Sequence, residues 1–355
     1  VSIAMNKKIL IITAVIAAFS AALFFHAATA LSKKKQTAVK IGSFVTPQSV
    51  WGKTVAKTIK NIEKRTDGEI KITHLHSGTL GSGKNMLDQV LIGGIQGAGV
   101  DTATLASIVP EVNIIELPYL FENHDEAYYL IDNVISPVLK KKFDEKGLVT
   151  SAIMETGFMD FVMSGPVRKP EDLKSMKIGS WESPVHIAFW KSQGASPIPI
   201  PATEVFNAYA RGMVDSGANS ANALIAWDKL FGTGLKRDKI FITRSAFTYQ
   251  AGILVINKRF YNSLDSDSRG ILMSELDSMT GVLRSQLKRS EPESLKQLAA
   301  MGYNVSEMSD KEKAVFEKNS KKVYSEMRNV IGGSFLDSVL SAREAYRSGK
   351  KRPVK

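Results

Sequence analysis

The chain contains no cysteine in 355 residues. That excludes a disulfide framework, thiolate-bound zinc, iron–sulfur clusters, a thiol nucleophile and a lipid anchor on an N-terminal cysteine. Histidine is scarce, with five residues in all. His26 falls in the leader described below, and His124 and His186 stand alone in the sequence. His74-x-His76 sets two imidazoles on one side of a strand, but no third ligand follows at a recognisable spacing, so a surface strand end is the better reading. Long apolar runs are missing after Phe25, which excludes a polytopic membrane protein. A G-x-S-x-G elbow and a Rossmann glycine fingerprint are also missing. Gly81-Ser82-Gly83-Lys84 resembles a phosphate loop without its spacing or its strand–loop–helix frame. No nucleophile–base pair emerges, so nothing here argues for an enzyme or requires a cofactor.

What is present is an ordinary globular composition, 44% hydrophobic and 23% charged, long enough for two medium domains. Basic residues exceed acidic ones by 47 to 35, a net charge of +12. Much of the excess is terminal: Lys33-Lys34-Lys35 at one end, and Arg347, Lys350, Lys351, Arg352 and Lys355 at the other. Such runs read as solvated tails, with attraction to an anionic membrane surface the weaker alternative. No basic helix is interleaved with stacking aromatics, which argues against nucleic acid. Met5-Asn6-Lys7-Lys8, the apolar run Ile9 to Phe25 and Ala28-Thr29-Ala30 are the three parts of a secretory signal peptide over residues 1–30. Cleavage leaves a chain starting near Leu31 in the periplasm; an uncleaved anchor is the alternative.

Strand and helix patterns alternate from Val39: strand Val39–Phe44, a helix carrying Val50, Val55, Ile59 and Ile62, strand Glu69–Leu75, a helix around Met86–Leu91, and strand Ala98–Thr102. This order implies a parallel sheet with helices on its faces. Ile108–Phe121, broken by two prolines, reads as a buried irregular connection, Asp125–Glu145 as helix and Leu148–Met154 as strand. A second α/β set begins near Gly157, with strands at Phe161–Ser164 and Met176–Ser180, helices at Ser183–Ser192 and Thr203–Arg211, and two strand-like runs on either side of Arg244. Ser266–Ala300 is one long helical pattern, followed by a short strand near Tyr303–Val305 and helices at Asp310–Val330 and Ser334–Ala345. Two α/β units without a flexible linker point to lobes joined by several crossings and a ligand held between them.

Several stretches, taken in order, resemble one family. They include Gly68-Glu69-Ile70-Lys71-Ile72, Val109-Pro110-Glu111, Leu117-Pro118-Tyr119-Leu120-Phe121, Pro170-Glu171-Asp172-Leu173-Lys174, Gly194-Ala195-Ser196-Pro197, Glu204-Val205-Phe206 and Gly212-Met213-Val214-Asp215. The chain is similar over Val39 to Leu264 to the extracytoplasmic solute-binding proteins of tripartite ATP-independent periplasmic (TRAP) transporters. The resemblance implies an α/β, two-lobed periplasmic binding protein fold. Each lobe would be a mainly parallel sheet flanked by helices, with a long bracing helix and a helical C-terminus. It places one lobe at 38–156 with 246–286 and the other at 157–245 with 287–346, followed by a basic tail at 347–355. It implies a monomer without cofactor that closes on a small solute and delivers it to TRAP membrane subunits driven by an ion gradient.

Members of that family commonly hold a carboxylate with an arginine in a Lys-Ile-Arg strand, and with a second arginine just after the lobe crossover. Here the first position is Gly179, in Lys177-Ile178-Gly179-Ser180, and the second is Met159. Without a guanidinium a buried carboxylate loses its two parallel charge-assisted bonds. Three readings stay open. The solute is neutral or apolar, with Phe44, Trp51, Met159 and Trp181 as its wall; or Arg211, Arg244 or Lys84 replaces the lost charge; or the chain is an envelope scaffold that no longer binds a solute. By the same resemblance, Asp101 at a strand end and Asn219 after the Val-Asp turn supply polar contacts; Asn219 reads equally as a turn or cap residue. Trp190, on a helix face with Ile187, reads as core.

Overall fold

A computed structural model describes residues 36–201, 204–231 and 236–349. The proposed signal segment, the lysine run at 33–35 and the last basic residues lie outside the described residues. The first α/β set is β1 (Thr37–Ser43), α1 (Val50–Arg65), β2 (Ile70–Leu75), α2 (Gly83–Ile92), β3 (Gly97–Asp101) and α3 (Thr102–Ala106). A 3-10 helix at Pro110–Glu116 leads to α4 (His124–Leu130), a π turn at Ile131–Ile135 and α5 (Ser136–Glu145). The second set is β4 (Leu148–Met163), β5 (Gly179–Trp181), α6 (Pro184–Ser192), β6 (Ile198–Ile200), α7 (Val205–Ala210), β7 (Gly217–Asn219) and α8 (Ala221–Phe231). The chain closes with β8 (Phe241–Asn257), α9 (Lys258–Ser263), α10 (Ser266–Ala300), β9 (Asn304–Glu307), α11 (Asp310–Ile331) and α12 (Gly333–Arg347). Among the described residues no helix is long and apolar enough to cross a membrane.

The main sheet has the order β2-β1-β3-β8-β4-β7, with β9 also paired to β8; β5 and β6 form a separate parallel pair. Parallel pairing holds where the βαβ pattern predicts it, between β1 and both β2 and β3. The sheet is nevertheless mixed rather than mainly parallel, because β8 returns antiparallel between β3 and β4 and β7 is antiparallel to β4. The runs at 148–154 and 161–164 are one strand, and so are the two runs around Arg244. The chain breaks register rather than leaving the sheet: shifts between Thr150/Ile153, Glu155/Gly157 and Met159/Phe161 absorb the residues that disturb the alternation. At the last shift Ala246 adopts φ 44°, and the Asp160 carboxylate accepts its backbone N–H at 3.0 Å. At Gly157, φ is 101° and a Cβ would stand 3.3 Å from Leu287, so glycine lets α10 approach.

The long helix spans the bounds read from the sequence. Asp265 caps it, accepting from the N–H of Asp267 and Ser268 at 2.9 and 3.0 Å. Its first half buries Leu272, Leu276, Met279 and Leu283 against Val39, Ile62, Ile70 and Leu254, and its end buries Leu295 and Leu298 against Val162, Ile242 and Leu224. One helix thereby packs on both sets, burying apolar area that contributes about 25 cal/mol per Å². The largest core runs without a break from α2 through the crossing strands to α6, α11 and α12. Arg347, read as the start of a free tail, ends α12 instead and pairs bidentately with the buried Glu126 at 2.6 and 3.0 Å. That contact returns the C-terminal helix to α4 in the first half of the chain.

Candidate functional site

A concavity of about 650 Å³, open solvent included, lies where β5 and β7 run side by side between α7 and α8. Gly179, Trp181, Tyr209, Asn219, Trp227 and Asp228 are among its walls. Trp181 and Trp227 are half-buried, and the Tyr209 hydroxyl donates to the Val162 carbonyl at 3.4 Å. Asn219 is 6% exposed and ends β7; its Oδ1 accepts the Ser220 N–H at 2.9 Å, and nothing among the described residues accepts from its Nδ2. Asp228 carries the negative charge of this wall, but Arg237 donates to it at 2.8 and 3.1 Å and Tyr303 at 2.7 Å. The Arg237 bonds hold its carboxyl below the usual carboxylate range. Among the described residues the lining is therefore apolar and aromatic, with the Asn219 amide donor unfilled and the Asp228 carboxylate neutralised. Such a surface suits a small organic molecule with a few polar groups.

Gly179, Trp181 and Asn219 line this concavity; the other expected site residues do not. Phe44 is half-buried at the end of β1, over Gly78. Trp51 packs in the first turn of α1 against the core beneath α10. Asp101 caps α3, accepting the Thr104 N–H at 2.7 Å. Met159 is 1% exposed within the large core. Arg211 is exposed at the C-cap of α7, and Lys84 is exposed and paired with Asp88 at 2.7 Å. Arg244 forms an ion pair with Glu291 on α10 at 2.6 Å, and Glu291 also meets His124 at 2.6 Å. His74 meets the Ser43 hydroxyl at 2.8 Å, and no three His, Asp or Glu side chains converge on a metal position among the described residues.

The residues the sequence reading missed form buried polar junctions. Glu116 is 1% exposed and accepts from the hydroxyls of Thr102 and Ser183, and His186 Nε2 stands 3.6 Å from its Oε2. Burial pushes the Glu116 carboxyl up to about 7, against the pull of the Ser183 and Thr102 hydroxyls. Burial alone pushes the His186 imidazole down to about 4, so it is neutral at pH 7. Asp160, beside Arg244, is likewise raised to about 7 by burial. The available signal for Glu116 was a lone acid at the end of an apolar run; its partner Ser183 is 67 residues away and carries no local cue.

Residues 41–329 match the family model described as bacterial extracellular solute-binding protein, family 7. A solute-binding protein of Verminephrobacter eiseniae is 26% identical over 87% of this chain and 90% of its own length. The 2,3-diketo-L-gulonate-binding periplasmic protein YiaO of Escherichia coli is 30% identical over 60% of this chain and 63% of its own. A TRAP periplasmic solute-binding protein of Ralstonia eutropha, solved with bound (S)-2-acetolactate, superposes with a TM-score of 0.80 at 25% identity, covering 86% of this chain and 98% of that one. The sugar acid binding protein of Advenella mimigardefordensis, solved with galactonate, gives 0.80 at 23% identity over 87% and 98% and supports the fold.

Proposed function

This chain belongs to the family 7 bacterial extracellular solute-binding proteins, and from that premise we propose that it is a non-catalytic, monomeric periplasmic receptor. It captures a small organic solute by closure of two lobes and delivers it to the membrane subunits of a TRAP transporter. The lobes in this reading are 38–156 with 246–286 and 157–245 with 287–346, and the bond from Arg347 to Glu126 ties the end of α12 back to the first lobe. The observation that carries the solute-binding part of the reading is the aromatic concavity beside β5 and β7 in the second lobe, where Asn219 Nδ2 has no acceptor among the described residues; closure of the lobes rests on the family. A hydroxyl or carbonyl of the solute supplies the acceptor that Nδ2 lacks.

Two readings of the solute's charge rest on different observations. A neutral solute is favoured by a lining that holds no Lys or Arg among the described residues, with Gly179 and Met159 standing where the resemblance puts arginine. An acid is favoured by the relatives, among which are proteins solved with acetolactate and with galactonate; none of those cited lends support to an apolar solute. Thermal melting of the exported chain with millimolar galactonate, acetolactate, succinate, polyols and free sugars separates the two, because a ligand of the folded state raises the melting temperature by mass action. Stabilisation by the acids alone overturns the neutral reading. Stabilisation by none, together with an empty result from mass spectrometry of co-purified small molecules, returns the chain to an envelope scaffold.

A further inference from the structure

Helix α1 carries one sign of charge along its outer face. Its inner side, with Trp51, Val55, Ile59 and Ile62, packs beneath α10. Lys53, Lys57, Lys60 and Lys64 stand on the opposite side, all exposed. Their spacing of i, i+4, i+7 and i+11 holds them within about 60° of one another and spreads them over about 16 Å of helix. Among the described residues none of the four has an acidic partner at ion-pair distance. The first turn of the helix contains no acidic residue. The acids nearby are engaged elsewhere: Glu63 with Lys71 at 2.9 Å and the Ile72 N–H at 3.2 Å, Glu275 with Arg65 at 2.8 Å and Asn61 at 3.0 Å. Asp67 lies past the C-cap.

Helix stability does not select such a face. Like charges one turn apart repel, and a lysine near the N-terminus of a helix opposes its dipole. Helix α11 shows the ordinary arrangement in the same chain, where exposed Lys311, Lys318, Lys321 and Lys322 are interspersed with exposed Asp310, Glu317 and Glu326. The α1 stripe also adjoins a second basic run. Gln36 Nε2 donates to the Gly68 carbonyl at 3.4 Å and the Thr37 N–H to the Glu69 carbonyl at 2.6 Å, so the chain enters the fold at the turn that follows Lys64 and Arg65. Lys33-Lys34-Lys35 immediately precede Gln36 in the sequence. That run therefore joins the fold at the Lys64 end of the stripe.

We propose that this face of α1, with Lys33-Lys34-Lys35, docks the protein on the surface of an anionic lipid bilayer. The form of the feature selects that partner. The lysines lie in a line on a convex helix, and the concavity beside β5 and β7 holds none of them. They form a row rather than an enclosure for one discrete anion. A bilayer rich in acidic headgroups is an extended sheet of negative charge, against which lysines on one line act together. By the reading of residues 1–30 as an export signal, the chain crosses a membrane just ahead of these lysines, which supplies the surface. The inference goes beyond the receptor reading and does not depend on it. For a receptor, docking confines diffusion to the plane in which its membrane partner lies.

The test is co-sedimentation of the exported chain with vesicles of about one third phosphatidylglycerol in phosphatidylcholine, and with phosphatidylcholine alone, in about 0.1 M salt. Each lysine at an anionic surface raises the partition constant about fivefold. The expected result is binding to the anionic vesicles only, lost in about 0.5 M salt and lowered at least about thirtyfold in K53Q/K57Q/K60Q/K64Q. K311Q/K318Q/K321Q/K322Q removes the same net charge from α11 and should lower binding by less than about threefold. K57E reverses a single charge and should lower it about tenfold; it carries the test if the quadruple α1 variant does not fold, as judged by circular dichroism. Equal losses in the two quadruple variants trace binding to net charge and overturn the proposal, as does equal binding to phosphatidylcholine alone. A wild-type chain that ignores the anionic vesicles also overturns it and leaves an acidic protein as the partner of the stripe. Melting shifts with solutes are a separate readout, so the docking and receptor readings fail independently.

Discussion

Arg284 decides how firmly the long helix is tied to the sheet. Its guanidinium reaches Glu155 at 2.6 and 3.0 Å and Asp132 at 2.6 and 2.8 Å, and lies 4.6 Å from the centre of the Tyr128 ring. The two acids are not equivalent, since the Glu155 side chain is 1% exposed and that of Asp132 is 49% exposed. Burial pushes the Glu155 carboxyl up, and Arg284 pulls against it. Arg284→Met keeps the apolar stem and removes the charge. Asp132 then loses little, because an ion pair in water contributes about 0–1 kcal/mol. Glu155 is left charged and unpaired, at a cost of about 3–5 kcal/mol, unless it takes up a proton. From an ordinary value of 4.5, protonation at pH 7 costs about 3.4 kcal/mol, at about 1.4 kcal/mol per pH unit. That route caps the deficit at pH 7, and at pH 5 it costs less than about 1 kcal/mol. The sign follows from linkage: a carboxyl raised in the folded state binds a proton that the unfolded state releases, so its stability is present at low pH and lost as pH rises. R284M should therefore be less stable than wild type by about 3 kcal/mol at pH 7 and about 1 kcal/mol at pH 5. Urea denaturation at both pH values, followed by tryptophan fluorescence and circular dichroism, measures the difference. An equal deficit at the two pH values, or none at pH 7, refutes the reasoning.

Glu116 and His186 should contribute opposite slopes to stability against pH. Glu116, raised to about 7 from 4.5, loses stability as pH rises over that interval, whereas His186, lowered to about 4 from 6.5, loses it as pH falls over its own. Relative to wild type, Glu116→Gln should gain by up to about 3 kcal/mol between pH 4.5 and 7, and His186→Gln should gain by a similar amount between pH 6.5 and 4; variant profiles parallel to the wild-type one refute this. Gly179→Arg should lower the melting temperature of the empty protein, since its Cβ meets Val214 at 3.2 Å and Ile200 at 3.3 Å and overpacking costs about 1–3 kcal/mol. It should also let galactonate stabilise the variant at concentrations where wild type responds at least about tenfold less; an acid affinity no better than wild type rules out this account of the position.

The fold was legible wherever one period persisted long enough to be read. The α10 pattern from Ser266 to Ala300 is continuous and Asp265 offers a cap, so both ends could be placed. The crossing strands were harder. Thr156-Gly157 and Arg244-Ser245-Ala246 look like chain breaks, yet in space they are bulges that β4 and β8 accommodate while staying paired. Helix α8, Ala221–Phe231, went unread because its short apolar run follows a turn signal without a strong helical stripe. The antiparallel return of β8 could not be read from local pattern, since it depends on where the chain re-enters the sheet after a long excursion.

The site was legible in part for the same reason. Gly179, Trp181 and Asn219 sit on short strands whose adjacency follows from the order of their flanking helices, while Glu116 and Ser183 are joined only by tertiary packing. The two positions where the resemblance leads one to expect arginine are both closely packed. A side chain at Gly179 would point into Val214 and Ile200, which with Val205 and Ala208 form a small apolar cluster behind the concavity. Met159 is closed into the large core on the strand face next to Phe161 and Phe247. An arginine at either place would need a buried acceptor; at Met159, the neighbouring Asp160 accepts the Ala246 N–H through Oδ1 while its Oδ2 has no hydrogen-bond partner among the described residues, and Glu291 is paired with Arg244 and His124. At both positions where the resemblance leads one to expect arginine, packing is what the structure shows, and no Lys or Arg is among the described residues that line the concavity. On the neutral-solute reading, creating carboxylate recognition here takes apolar space as well as charge, so that G179R paired with Val214→Ala should bind an acid more tightly than G179R alone.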